Sequence, residues 1–210
     1  MVGIPKHFYP GDSTAKVAIC VPVRDNVTAA FSYSLAMLLR KCGETGLKTT
    51  LHMVIGSEVA SQRQQLVNEA LETSCTHILW LDADMRFPIN TLVALLSHKK
   101  DIVACNYSTR VEPHRPVAFL SKVDMDERLE ATTGMHKVIA VGMGCMLVNR
   151  KVYESIPKPH FGVEWNEDYT SLVGEDLYFC TKASDHGYNI WIDGDLSRNI
   201  AHIGTSAYTL

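Results

Sequence analysis

The chain has 210 residues, 46% of them hydrophobic, and a formal net charge of −3. That length suits one domain, alone or with an added lobe, with apolar residues enough for a sizeable core, and the charge speaks against a surface built to coat DNA or RNA. The six cysteines (Cys20, Cys42, Cys75, Cys105, Cys145 and Cys180) are scattered with no close pair, which reads as buried free thiols rather than a disulfide framework or a zinc site.

Residues 1–16, which include Pro5, His7, Pro10, Gly11 and Asp12, read as an irregular arm and not as a signal peptide. No apolar run reaches the length of a membrane span, and a cytoplasmic setting is expected. Val17–Val21 is the first buried strand, stopped by Pro22, with Arg24, Asp25 and Asn26 at its C-terminal edge. Asn26 or Asp25 is placed to cap a helix over 28–41, whose apolar stripe is Phe31, Leu35, Leu38 and Leu39. A strand over 49–55, a helix from Ser57 or Ser61 to about Thr73, and a strand ending at Leu81 follow. Strand–helix–strand–helix–strand predicts a parallel sheet with helices on both faces.

Pro88 opens a third helix, 89–98, and 101–106 is a further buried strand. From Tyr107 the rhythm changes. Arg110, Pro113, His114, Arg115 and Pro116 form a polar loop; 117–120 and 137–141 read as strands around an acidic surface excursion at 124–130. Gly142 and Gly144 precede a strand over 145–148 and a short helix over 150–155. Residues 160–173 read as a loop over the site, 175–184 as a helix stopped by Gly187, and 189–192 as a last strand, with His202 in the tail. The expectation is a single domain over 17–210, with a nucleotide-binding half at 17–106 and an acceptor-side half at 107–210.

The most informative stretch is Ile78-Leu-Trp-Leu-Asp-Ala-Asp84. Four apolar residues in succession read as a strand buried on both faces, and it delivers two acids to the sheet's C-terminal edge, where open α/β sheets bind ligands. In extended chain, residues two apart point the same way, so Asp82 and Asp84 would sit together and call for a cation. A hard divalent ion carrying a diphosphate would suit them.

These features resemble the nucleotide-sugar glycosyltransferases of the GT-A fold, closest to the family 2-like group, over roughly residues 16–204. Val21-Pro22-Val23 resembles the opening strand and nucleoside loop, Asp82-Ala83-Asp84 the DxD motif, and Gly142-Met-Gly144-Cys-Met146 the glycine-bearing segment beside the sugar. Gly174-Glu175-Asp176-Leu177 resembles the Glu-Asp helix start, and His202 stands where a further metal ligand is found. The resemblance implies an α/β, Rossmann-like domain with a small antiparallel addition. It implies Mn²⁺ or Mg²⁺ held by Asp84, His202 and Asp82, with UDP-sugars slightly ahead of GDP-sugars as donor. The acceptor hydroxyl belongs to a glycan, small molecule, protein or modified base. Asp176 is the implied base if the reaction inverts, with Glu175 as its alternate; a carboxylate at a helix start is expected to keep a low pKa. Pro22, Arg24, Asp25, Glu58, Arg63, Asp82, Ala83, Asp84, Gly142 and Gly144 are the implied donor-binding set. Glu58 is the nearest match to the acid that reads the base.

The resemblance leaves open whether the reaction inverts or retains, and what the oligomeric state is. Arg110 and Arg115 are placed to meet phosphate or an anionic acceptor; Trp165 and Tyr169 suit either stacking on an acceptor sugar or anchoring a lid. The alternatives are a nucleotidyltransferase, although Val21–Asn26 is not the glycine-rich basic loop such an enzyme would show, and a non-catalytic nucleotide-binding protein. No GxGxxG follows the first strand and no GxxxxGK(S/T) occurs.

Overall fold

Unbroken apolar runs become the interior of one sheet. In the computed structural model, which describes residues 14–121, 126–166, 168–204 and the backbone of 207–208, β1 (Lys16–Val23) is buried at every residue after the first. The helix α1 (Ala29–Thr45) follows. Its cap is Thr28, not Asn26 or Asp25: the Thr28 side chain accepts from the Phe31 N–H, and Gly46 closes the other end in the left-handed region. Then come β2 (Lys48–Ile55), α2 (Val59–Glu72), β3 (His77–Leu81), β4 (Met85–Arg86), α3 (Thr91–Ser97) and β5 (Ile102–Ala104). The second half supplies β6 (Ala118–Phe119), β7 (Met135–Val138), β8 (Ala140–Val141), β9 (Cys145–Asn149), α4 (Arg150–Ser155), β10 (Glu164–Trp165) and β11 (Leu172–Val173). It ends with α5 (Glu175–Asp185), β12 (Ile190–Asp193), α6 (Gly194–Ser197), β13 (Ala201–Ile203) and β14 (Ala207–Tyr208).

The main sheet has the strand order β2-β1-β3-β9-β5-β12-β7. Five strands run one way; β9 and β7 run against their neighbours. The sheet is thus α/β and mostly parallel as expected, but β9 enters its middle reversed, with Leu79 opposite Leu147 and Val103 opposite Leu147 on the other side. Nothing in an apolar run such as Cys145–Val148 marks strand direction. The second half of the chain therefore completes the same sheet rather than forming a lobe. Small antiparallel additions are β14-β13-β4, β6-β8 and the hairpin β10-β11; this hairpin lies inside the stretch expected to be a loop.

Helices cover both faces. Leu66, Val67 and Ala70 of α2, Val152 and Tyr153 of α4, and Phe179, Cys180 and Ala183 of α5 pack on one face. Phe31, Leu35 and Leu38 of α1 and Leu92 and Leu95 of α3 pack on the other. Trp80 anchors the first core: it is fully buried, its indole N–H donates to the Tyr153 hydroxyl at 2.7 Å, and its ring meets Phe161 edge-on at 5.3 Å. All six cysteines are buried and unpaired. No helix of the described residues is long and apolar enough to cross a membrane. The N-terminal arm lies outside the described residues up to 13, as does part of the acidic excursion, 122–125.

Candidate active site

The site grows from the C-terminal end of β3. Trp80 and Asp82, two residues apart, are both met by Arg63 of α2. Its guanidinium lies 5.4 Å from the Trp80 ring centre, and Nη2 donates to Asp82 Oδ1 at 2.8 Å. Nε donates to Glu175 Oε1 at 3.0 Å. Arg63 is only 2% exposed, and among the described residues its Nη1 has no hydrogen-bond partner. A cation this deep requires paired anions, and two are supplied. Arg63, Asp82 and Glu175 therefore form a buried bridge between the strand end and α5.

Beyond Asp82 the chain turns; the Met85 N–H donates to the Asp82 carbonyl at 3.1 Å. This removes the extended geometry that would have put Asp82 and Asp84 on one side. Asp84 goes to a different cation: its Oδ2 lies 2.9 Å from Arg110 Nη1 and 3.4 Å from His202 Nε2. Pairing of β4 with β13, Met85 opposite His202, brings that histidine in from the tail. The Ser108 carbonyl can only accept, so His202 Nδ1 carries the proton in their 3.2 Å contact and Nε2 is left facing Asp84. Burial works against the charge of Asp84, but His202 and Arg110 hold its carboxyl below the usual range.

The glycine-bearing segment has a different purpose from the one expected. A Cβ on either Gly142 or Gly144 would stand 2.6 Å from the Tyr107 hydroxyl. The glycines make room for a buried tyrosine of the protein itself. Tyr107 accepts the Gly144 N–H at 2.9 Å and meets the His202 ring edge-on at 5.5 Å, while the Gly144 carbonyl accepts the Asp82 N–H at 3.0 Å. Tyr107 went unmarked in the sequence, though its place directly after a buried strand was a usable signal.

Helix α5 opens on Gly174 with Glu175 and Asp176 in its first turn. The Leu177 N–H donates to Asp176 Oδ1 at 2.8 Å. The expectation of a low pKa fails here: burial first, then the adjacent Glu175, push the Asp176 carboxyl up to about 6. Desolvation and like charge outweigh the helix start. Asp82 contributes in the same direction.

Other residues expected at the site are spent elsewhere. Arg24 and Asp25 are exposed and pair loosely with each other at 3.7 Å. Glu58 caps α2, accepting from the Ala60 and Ser61 N–H groups, and these bonds hold its carboxyl low. Pro22 sits within β1 opposite Val54, and the Ala83 carbonyl accepts the Thr28 N–H at 3.1 Å.

No family model matches the chain, and no curated protein matches it. Solved structures do. A197 from STIV superposes with a TM-score of 0.60 at 17% identity, over 90% of this chain and 86% of that one. A mutant Drosophila beta-1,4-galactosyltransferase 7, in complex with manganese, UDP-Gal and xylobiose, gives 0.52 at 15% identity, over 90% of this chain and 71% of the other. The fold is GT-A-like. At these identities the likeness concerns the fold alone.

Proposed function

We propose that this chain is a family 2-like, metal-dependent glycosyltransferase that moves a sugar from a nucleoside diphosphate, UDP favoured, to a hydroxyl acceptor. The observation that carries the reading is one sheet edge holding two chemistries: the Asp84–His202 pair and, across the Arg63 bridge, Asp176 with its carboxyl near neutrality.

Asp84 and His202 offer one oxygen and one nitrogen donor, a set that suits Mn²⁺ better than Mg²⁺. Among the described residues no three such groups gather, so the ligand's phosphates and water would supply the remaining donors. A bound cation would supply charge neutralisation for the departing diphosphate. The Ser108 carbonyl fixes the His202 ring for that task. Arg110 reaches the same carboxylate and is placed to follow the phosphates. Arg63 keeps Asp82 and Glu175 in register, and Asp82 is assigned to the donor's ribose side. Asp176 accepts the proton of the acceptor hydroxyl as its oxygen bonds to the anomeric carbon and the electron pair of the breaking bond leaves on the diphosphate, with inversion. A carboxylate whose pKa is near 6 is a better base for this than one held near 4. The buried unpaired cysteines fit a reducing, cytoplasmic setting.

The test is thermal unfolding with UDP, GDP, CDP and ADP, each with Mn²⁺, Mg²⁺ or chelator, for wild type and Asp84→Asn. A metal-dependent rise with one diphosphate, lost in the variant, supports the transferase and names the donor base. No rise with any nucleotide would leave a non-catalytic protein as the better reading.

A further inference from the structure

Immediately before Glu175 and Asp176 the chain makes an exposed hairpin. In β10 and β11, Glu164 stands opposite Val173 and Trp165 opposite Leu172. Residues directly opposite in an antiparallel pair share a face, so Trp165 and Leu172 lie side by side. Both are exposed, as are Val163 and Tyr169; Trp165 is 57% and Tyr169 78% exposed. Large apolar side chains held in water next to a catalytic helix require an occupant.

The hairpin is also built to hold still. Asn166 Oδ1 accepts from the Thr170 N–H at 2.8 Å and the Ser171 N–H at 3.1 Å, and Nδ2 donates to Thr170 Oγ1 at 2.9 Å. The Asn166 N–H donates to the Ser171 carbonyl at 2.9 Å. The aromatic side chains are therefore carried on a fixed support, which lowers the entropy lost on binding.

The charge around them selects the occupant. No lysine or arginine lies between Lys158 and Lys182, whereas Glu164, Asp168, Glu175 and Asp176 do. An anionic acceptor such as a nucleic acid or a phosphorylated polymer would be repelled. A pyranose has an apolar C–H face for an indole and hydroxyls that donate to carboxylates, and carries no charge.

We propose that the 164–173 hairpin is the acceptor platform of this transferase and that the acceptor is a neutral carbohydrate, stacked on Trp165 and bounded by Tyr169 and Leu172. This rests on the transferase reading above. The hairpin leads through Gly174 directly to Asp176, so the sugar that stacks on it presents a hydroxyl to the base from the adjoining chain.

Saturation-transfer NMR with xylobiose, cellobiose and maltose, set against sulfated and phosphorylated sugars, tests it in the presence of UDP and Mn²⁺. Transfer to ring-face C–H protons of at least one neutral disaccharide is expected. Its affinity should fall at least about tenfold in Trp165→Ala and be largely kept in Trp165→Phe, with the nucleotide-induced thermal shift retained in both. No transfer from any neutral sugar while the nucleotide shift is intact would overturn the acceptor class and leave the transferase standing. A preference for the sulfated sugars, or binding unchanged in Trp165→Ala, would also overturn it. So would a change of mass in light scattering for Trp165→Ala without any saccharide effect, since the face would then belong to a second copy. Absence of the nucleotide shift in wild type removes the transferase reading and this one with it.

Discussion

The hydroxyl of Tyr107 stands 2.6 Å from the position a Cβ would take on Gly142. The next ring atom, Cζ, is at 3.2 Å from that position, but only 2.8 Å from the one on Gly144. Removing the hydroxyl therefore relieves one site and not the other. Gly142→Ala should cost about 1–3 kcal/mol, and Tyr107→Phe in the same chain should recover most of it. Gly144→Ala should cost at least as much and show little recovery. Urea unfolding of the two double-mutant cycles checks this.

Asp176 sets a pH dependence of stability. Its carboxyl lies at about 6 in the folded chain against an ordinary 3.8. Between those values the native state binds more protons than the unfolded one, so stability falls as pH rises from about 4 to 6. Asp176→Asn should gain about 1–3 kcal/mol over wild type at pH 7 and little at pH 4, while losing transfer activity. Denaturant titrations at the two pH values give the first part. For wild type, kcat/KM should climb on the acid side with an apparent pKa near 6.

The Arg63 bridge makes the opposite demand. Arg63→Met leaves Asp82 and Glu175 buried without their cation and should destabilise by about 3–5 kcal/mol. Adding Glu175→Gln removes one of the stranded charges and should return part of that loss. A non-additive pair of this sign, measured by chemical unfolding, distinguishes an ionic bridge from simple packing.

Arg110 competes with any added cation for Asp84, at 2.9 Å from Oδ2. It is half exposed, so Arg110→Ala should change stability by less than about 1 kcal/mol. Mn²⁺ alone should bind the variant more tightly, by up to about tenfold, and UDP with Mn²⁺ should gain less or lose. Calorimetry with and without nucleotide separates the two effects.

Strands were legible wherever the interior imposed an unbroken apolar run, as at Val17–Val21 and Ile78–Leu81. The nearness of Asp84 and His202, 118 residues apart in number, was legible only through resemblance, because the β4–β13 pairing that joins them leaves no local pattern. Asp82 and Asp84 looked like one pair because an extended chain was assumed; the turn after Asp82 divides them. Helix-start electrostatics suggested an acidic Asp176, whereas its pKa is decided by burial and by Glu175, and burial is a tertiary property. Glu58 and the two glycines matched a pattern but serve a helix cap and a tyrosine.

The reversed strand β9 has a consequence for synthesis on the ribosome. It fills the gap between β3 and β5, yet its residues, 145–149, are made more than forty positions after Ala104. Until they emerge, β3 and β5 each present an apolar strand with an open hydrogen-bonding edge. A nascent chain stalled before residue 145 should therefore hold β1–β3 as a sticky partial sheet and recruit holdase chaperones, and release from them should coincide with the emergence of β9.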